Sequence, residues 1–86
     1  MKEIRLSQHA ELKLEILASH GMAVPVDFVW ATLRSPDKLE LEEEGKRIAQ
    51  KRLDEKRVLR VVYREFDAFL LVITLYPGKR SRYEKD

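Results

Sequence analysis

Apolar positions along this chain change period midway. Leu6, Ala10, Leu14 and Leu17 recur at helical spacing, and Leu12 and Ile16 widen the stripe. Ser7 stands where an N-cap hydroxyl belongs and Gly21 where a left-handed C′ residue belongs, which predicts a helix over 8–20. After Pro25, the residues Val26, Val29, Trp30 and Leu33 fall at i, i+3, i+4 and i+7, a second helix that Ser35-Pro36-Asp37 ends. The two helices make an αα-hairpin that cannot bury its apolar faces alone. Trp30 is read as core.

From Lys38 the pattern turns to alternation. Leu39 and Leu41 alternate with charges, and Glu44-Gly45 reads as a turn. Arg47 to Leu53 is a weakly patterned strand closed by Asp54-Glu55-Lys56, and Arg57 to Glu65 is a better one. Phe69 to Tyr76 is apolar almost throughout, as in a central strand buried on both faces, and Pro77-Gly78 terminates it. The expected fold class is α+β: one domain over 1–86, with two N-terminal helices on a four-stranded antiparallel sheet. Lys2 to Leu6 is a candidate for a short extra edge strand.

The register of the last hairpin decides which side chains share a face. A three-residue loop, Phe66-Asp67-Ala68, pairs Tyr63 with Leu71, Val61 with Ile73 and Arg60 with Thr74. It gathers Arg60, Arg64, Thr74 and Tyr76 on the face away from the helices. A two-residue loop instead puts Arg60 and Arg64 among Leu71 and Ile73. Unpaired buried charge is expensive, so the three-residue loop is expected.

Composition narrows the function classes. At 86 residues the chain holds one modest core, and with 44% hydrophobic and 37% charged residues it is expected to fold. It has no cysteine, so disulfides and thiolate metal sites are excluded. It contains no run of eighteen apolar residues and no charged-then-apolar leader, so a cytoplasmic protein away from membranes is expected. The net charge of +2 is unevenly spread: residues 1–45 carry five Lys/Arg and nine Asp/Glu, residues 46–83 eleven and four. A concentrated basic half is the electrostatic footprint of a nucleic-acid binder, and dense surface charge of both signs is the competing account.

No His-x-Glu-x-x-His, P-loop or dinucleotide fingerprint is present, so no cofactor and no metal are expected. Arg60, Arg80 and Arg82 are cations suited to phosphate. Tyr76 or Tyr83 suits base stacking or proton donation, and Lys51 becomes a base only with a depressed pKa. His9 is the natural general base by pKa, against a hydrogen-bonding role fastening helix to sheet. His20 reads as a cap. The plainer account of the Arg cluster is a solvated strand face paired to glutamates. Tyr63 reads as a sheet position, and Glu40, Glu42, Glu43 and Glu44 as an exposed strand end and turn.

Several fragments together carry a resemblance: His9-Ala10, the Gly21-to-Pro36 segment, Leu59-Arg60-Val61-Val62-Tyr63, Val72-Ile73-Thr74-Leu75-Tyr76 and Arg82-Tyr83. In order and spacing the chain resembles the small DUF4258-type proteins, which are similar to the RelE/ParE toxin superfamily. The resemblance implies helices on a curved antiparallel sheet and, in active members, RNA cleavage without metal through a ribose 2′-hydroxyl. Other members inhibit gyrase and cut nothing. It supplies Lys51, Arg60, Arg82 and Tyr83 as catalytic candidates. His9 joins them by its pKa, and the shared sheet face and basic tail add Arg64, Thr74, Tyr76, Lys79 and Arg80 as RNA contacts. It also implies two partners, RNA (including ribosome-bound mRNA) and a cognate antitoxin protein.

The expected function is therefore that of a toxin-module-like RNA-binding protein, a metal-independent endoribonuclease of a toxin–antitoxin system. The rival is a non-catalytic protein-interaction module of the same fold. A third reading, self-association through an exposed sheet edge, ranks lower because the charge along Lys46 to Arg52 blunts such an edge.

Overall fold

A computed structural model describes residues 2–84, and the order of elements follows the change of period. Strand β1 (Glu3–Leu6) leads into helix α1 (Gln8–Ser19) and helix α2 (Val26–Arg34). Then come β2 (Lys38–Leu41), a 3-10 turn at Glu43–Gly45, β3 (Lys46–Arg52), β4 (Arg57–Glu65) and β5 (Phe69–Lys79). A single helical turn, α3 (Arg80–Tyr83), closes the chain. No helix among the described residues is long and apolar enough to cross a membrane.

The α+β class is observed, but the sheet has five strands and is mixed, in the order β1-β5-β4-β3-β2. The expected four antiparallel strands are there. The candidate edge strand at Lys2 to Leu6 is there too, as β1; the correction is that it lies parallel to β5, with Leu6 beside Val72, and so makes the sheet mixed. An apolar strand such as β5 needs a neighbour on each side, and the N-terminal segment supplies the second through a long crossover.

Ser7 fastens that arrangement. Its hydroxyl accepts from the Ala10 amide at 3.0 Å as the N-cap of α1 and donates to the Ile73 carbonyl at 2.8 Å. Its own amide donates to the Val72 carbonyl at 3.0 Å. At the other end of α1, Gly21 takes φ +81°, the left-handed conformation expected there.

Both longer helices cover one face. Ala10, Val29 and Leu33 meet Ala49, Leu59, Val61, Tyr63, Val72 and Leu75 in a single core, with Leu6, Leu14, Leu17 and Trp30 packed against it. Leu12 and Ile16, expected to widen the buried stripe, are exposed instead; the stripe α1 presents to β5 is narrower than its count of apolar residues suggests.

The hairpin register also differs from expectation. Glu65 pairs with Leu70, Arg64 with Leu71 and Tyr63 with Val72; then the register shifts and Val62 pairs with Thr74, Val61 with Leu75 and Arg60 with Tyr76. The bulge lies at Ile73, where the Ser7 hydroxyl binds the carbonyl. This one extra residue restores the expected parity, so Arg60 still faces away from the helices.

Pro77-Gly78 does not end β5, which continues to Lys79. Beyond the Leu6–Val72 pair, β5 has no β1 residue beside it, and proline is tolerated on such an edge. Gly78 has a different role: a Cβ placed there falls 2.3 Å from Cε2 of Tyr83, so only glycine lets that ring lie on the strand.

Candidate functional site

The face away from the core carries a polar array that crosses four strands. Arg60 on β4 is 4% exposed, and strand pairing brings its hydrogen-bond partners to it. Its Nη1 donates to Glu40 Oε2 on β2 at 2.8 Å and to Gln50 Oε1 on β3 at 2.5 Å. Its Nε donates to the Tyr76 hydroxyl on β5 at 2.9 Å. The register explains the convergence, since Gln50, Arg60 and Tyr76 sit side by side across β3, β4 and β5.

The C-terminal turn closes over this array. The Tyr83 ring centre lies 4.2 Å from the Arg60 guanidinium carbon, and the Tyr83 carbonyl accepts from Gln50 Nε2 at 3.2 Å. Glu84 beyond it accepts from Arg80 at 2.7 Å and from Arg52 at 3.2 Å. Arg82 is exposed, stands 5.3 Å from the Tyr83 ring centre, and has no ion pair among the described residues.

Electrostatics follow from these contacts. The hydrogen bond from Arg60 is the main cause holding the Glu40 carboxyl below its ordinary value, with burial pulling the other way and Lys38 assisting. Burial works against the charge of Arg60, but the bonds to Glu40 and Tyr76 together outweigh it and raise its pKa. Arg60 therefore stays a cation and Glu40 an anion at neutral pH.

Of the residues singled out from sequence, Arg60, Tyr76, Tyr83 and Arg82 come together. Thr74 shares their face opposite Val62. Arg64 lies toward the far end of β4, 3.6 Å from Glu44. Lys51 is a correction: its ammonium donates to the Ser35 carbonyl at the end of α2, on the helix-bearing side, because it alternates with Gln50 along β3. His9 is a second correction, exposed on α1 across the sheet from Arg60 and not inserted between helix and sheet.

Lys79 and Arg80 belong to a neighbouring feature. With Glu55, Lys56, Arg57 and Ser81 they line an open hollow of about 520 Å³. Arg57 is held by Asp54 and Arg80 by Glu84, whereas Lys56 and Lys79 have no ion pair among the described residues. The result is a cationic ledge at the end of the sheet, running from Arg80 beside the array to Lys79, which strand alternation places with Arg57 on the helix-bearing side.

Glu40 and Gln50 escape a reading of the sequence alone. Glu40 sits in an acidic run that looks like a solvated strand end, and only the β2–β3–β4 register places it over Arg60. Arg60 is paired to a glutamate, as the plainer account of the Arg cluster expects, but it is buried and not on a solvated face.

No family model and no curated protein matches the chain. Among solved structures, it is similar in fold to a conserved hypothetical protein from Helicobacter pylori determined in solution, with a TM-score of 0.55 and 21% identity over 94% of this chain and 97% of that one.

Proposed function

We propose that this protein is a toxin-module-like RNA-binding protein of the RelE/ParE type, with Glu40, Arg60, Tyr76, Arg82 and Tyr83 as a centre for metal-independent RNA cleavage. The observation that carries the reading is the meeting of a carboxylate, a phenol and an aromatic ring on one guanidinium, with Arg82, which has no ion pair among the described residues, beside them.

Attack of a ribose 2′-hydroxyl on the adjacent phosphate requires a proton acceptor, a proton donor to the leaving 5′-oxygen and cations for the phosphorane oxygens. Arg82 meets the phosphate first, and the ledge of Lys56 and Lys79 holds the flanking backbone. A phosphate oxygen that takes the place of Glu40 on Arg60 Nη1 removes the bond that depresses the Glu40 pKa. The carboxylate then becomes a stronger base as substrate arrives. Glu40 takes the 2′-proton, the bond from phosphorus to the 5′-oxygen breaks, and the Tyr76 or Tyr83 phenol protonates that oxygen. The products are a 2′,3′-cyclic phosphate and a 5′-hydroxyl. Lys51 and His9 have no part in this scheme.

The second reading, a non-catalytic module that docks a partner protein such as an antitoxin, is favoured by one observation. Arg60 is 4% exposed beneath Tyr83, so a phosphate reaches it only after that ring moves.

The test is incubation of purified protein with end-labelled single-stranded RNA in chelator, and with translating ribosomes in magnesium buffer, followed by mapping of the new ends. Cyclic-phosphate ends are expected to vanish in Glu40→Gln, with binding retained, and in Arg82→Ala, with binding weakened. Intact RNA in both reactions and no growth arrest on induction defeats cleavage. RNA binding that is indifferent to Lys56→Glu plus Lys79→Glu defeats the ledge as an RNA site.

A further inference from the structure

Strand β2 ends the sheet, and among the described residues no strand lies on its outer side. The Glu42 amide donates to the Lys46 carbonyl at 2.8 Å, and these residues stand opposite each other in the β2–β3 register. By alternation Glu40 and Lys38 also turn their backbone groups toward β3, so the N–H and C=O of Leu39 and Leu41 point outward. The side chains of those leucines stand on the helix-bearing side, Leu39 opposite the core residue Ala49. Helix α2 packs over β3 and β4 and leaves them 48% and 75% exposed.

A strand with free backbone donors and two bare leucines is a template for another strand, and its sequence says which one. Two copies of β2 pair antiparallel about a two-fold axis only where outward-turned residues meet. Centring on Leu41 sets Glu40 against Glu42 of the second copy, a like-charge pair. Centring on Leu39 joins only one outward-turned pair, because the Asp37 amide is already turned in to the Gln50 carbonyl. Setting Leu39 against Leu41 joins two such pairs, brings the leucines together twice, and places Lys38 against Glu42 of the second copy twice. The remaining cost is Glu40 facing its counterpart across the axis, but each carboxylate is already held by Arg60 at 2.8 Å, with Lys38 at 3.9 Å.

We propose that the protein pairs with a second copy of itself through β2, Leu39 opposite Leu41, joining two five-stranded sheets into one continuous sheet. The charges of Lys46 to Arg52 do not blunt this edge, because β3 lies one strand inside it. The association is self-complementary and closes at two copies.

Sedimentation across a concentration series, combined with amide exchange, tests the pairing. Leu39 and Leu41 amides are expected to gain protection as dimer forms, and Leu41→Lys, at an exposed site, to leave a folded monomer. Lys38→Glu and Glu42→Lys each weaken association about tenfold, and the double reversal restores it to within about threefold of the native chain. A monomer up to millimolar concentration overturns the proposal. So does a dimer whose Leu39 and Leu41 amides stay unprotected, or a double reversal no better than the single changes.

Discussion

The Tyr83 ring lies 4.2 Å from the Arg60 guanidinium carbon and rests on Gly78, where no other residue leaves it room. A ring over a shielded cation contributes about 1–2 kcal/mol, and that contribution depends on a residue five positions away in the chain. Gly78→Ala is expected to displace the ring and destabilise the fold by about 1–2 kcal/mol. Tyr83→Ala is expected to match it and Tyr83→Phe to cost little, since the hydroxyl bonds to no described residue. Urea denaturation gives the energies, and the Arg60 Nε–H chemical shift reports whether the ring has left.

Arg60 is the group whose loss leaves the most polar atoms stranded. Removing it takes the donor from Glu40, Gln50 and Tyr76 at once. Arg60→Met is expected to cost about 2–4 kcal/mol, and Arg60→Lys to recover only part of that, because an ammonium cannot span the three acceptors from one plane. Glu40→Gln is milder, about 1 kcal/mol: the Glu40 side chain is 34% exposed, and an amide oxygen still accepts from Nη1. Denaturant midpoints for the three variants check the order.

Acid sensitivity follows from the carboxylates. Glu40, Glu65 and Glu84 are lowered chiefly by hydrogen bonds from Arg60, Lys2 and Arg80, and Asp54 chiefly by the Lys56 amide. A group whose folded pKa is depressed stabilises the fold fully above its unfolded value, and the contribution is lost as pH falls through the folded value. These four groups therefore predict a plateau above the ordinary carboxylate values, 4.5 for Glu and 3.8 for Asp, and a decline below them. Thermal melts from pH 7 to pH 2 are expected to show it, with a shallower acid decline in Glu40→Gln. A midpoint unchanged down to pH 2 contradicts the assignment.

Sequence periodicity carried the elements further than the site. Caps at Ser7 and Gly21, the proline before α2 and the run from Arg57 to Glu65 are local signals, and each element formed where they placed it. The partner of Arg60 was not legible, because Glu40 reaches it only through two strand registers fixed by turns elsewhere. Lys51 misled for the same reason: its basicity suits the chemistry, while strand alternation turns it to the other face. The bulge at Ile73 is also not legible, since the group that bonds its carbonyl is a serine hydroxyl at the start of α1, distant in the chain.

That serine provides the sharpest stability test. Ser7→Ala removes the cap of α1 and the bond to the Ile73 carbonyl in one change. A cap contributes about 1 kcal/mol and a neutral hydrogen bond a similar amount, so a loss of about 2 kcal/mol is expected. Ser7→Asp separates the two roles. A carboxylate still caps the Ala10 amide and suits the helix dipole, but it cannot donate to a carbonyl and meets that oxygen as a like charge. Recovery is then expected in the first turn of α1 but not at the bulge. Amide exchange distinguishes them: the Ala10 amide regains protection in Ser7→Asp, while the amides around Val72 and Thr74 stay open. If Ser7→Asp restores both, the bulge is held by packing of β1 and β5, and the serine has no part in setting the register that brings Tyr76 to Arg60.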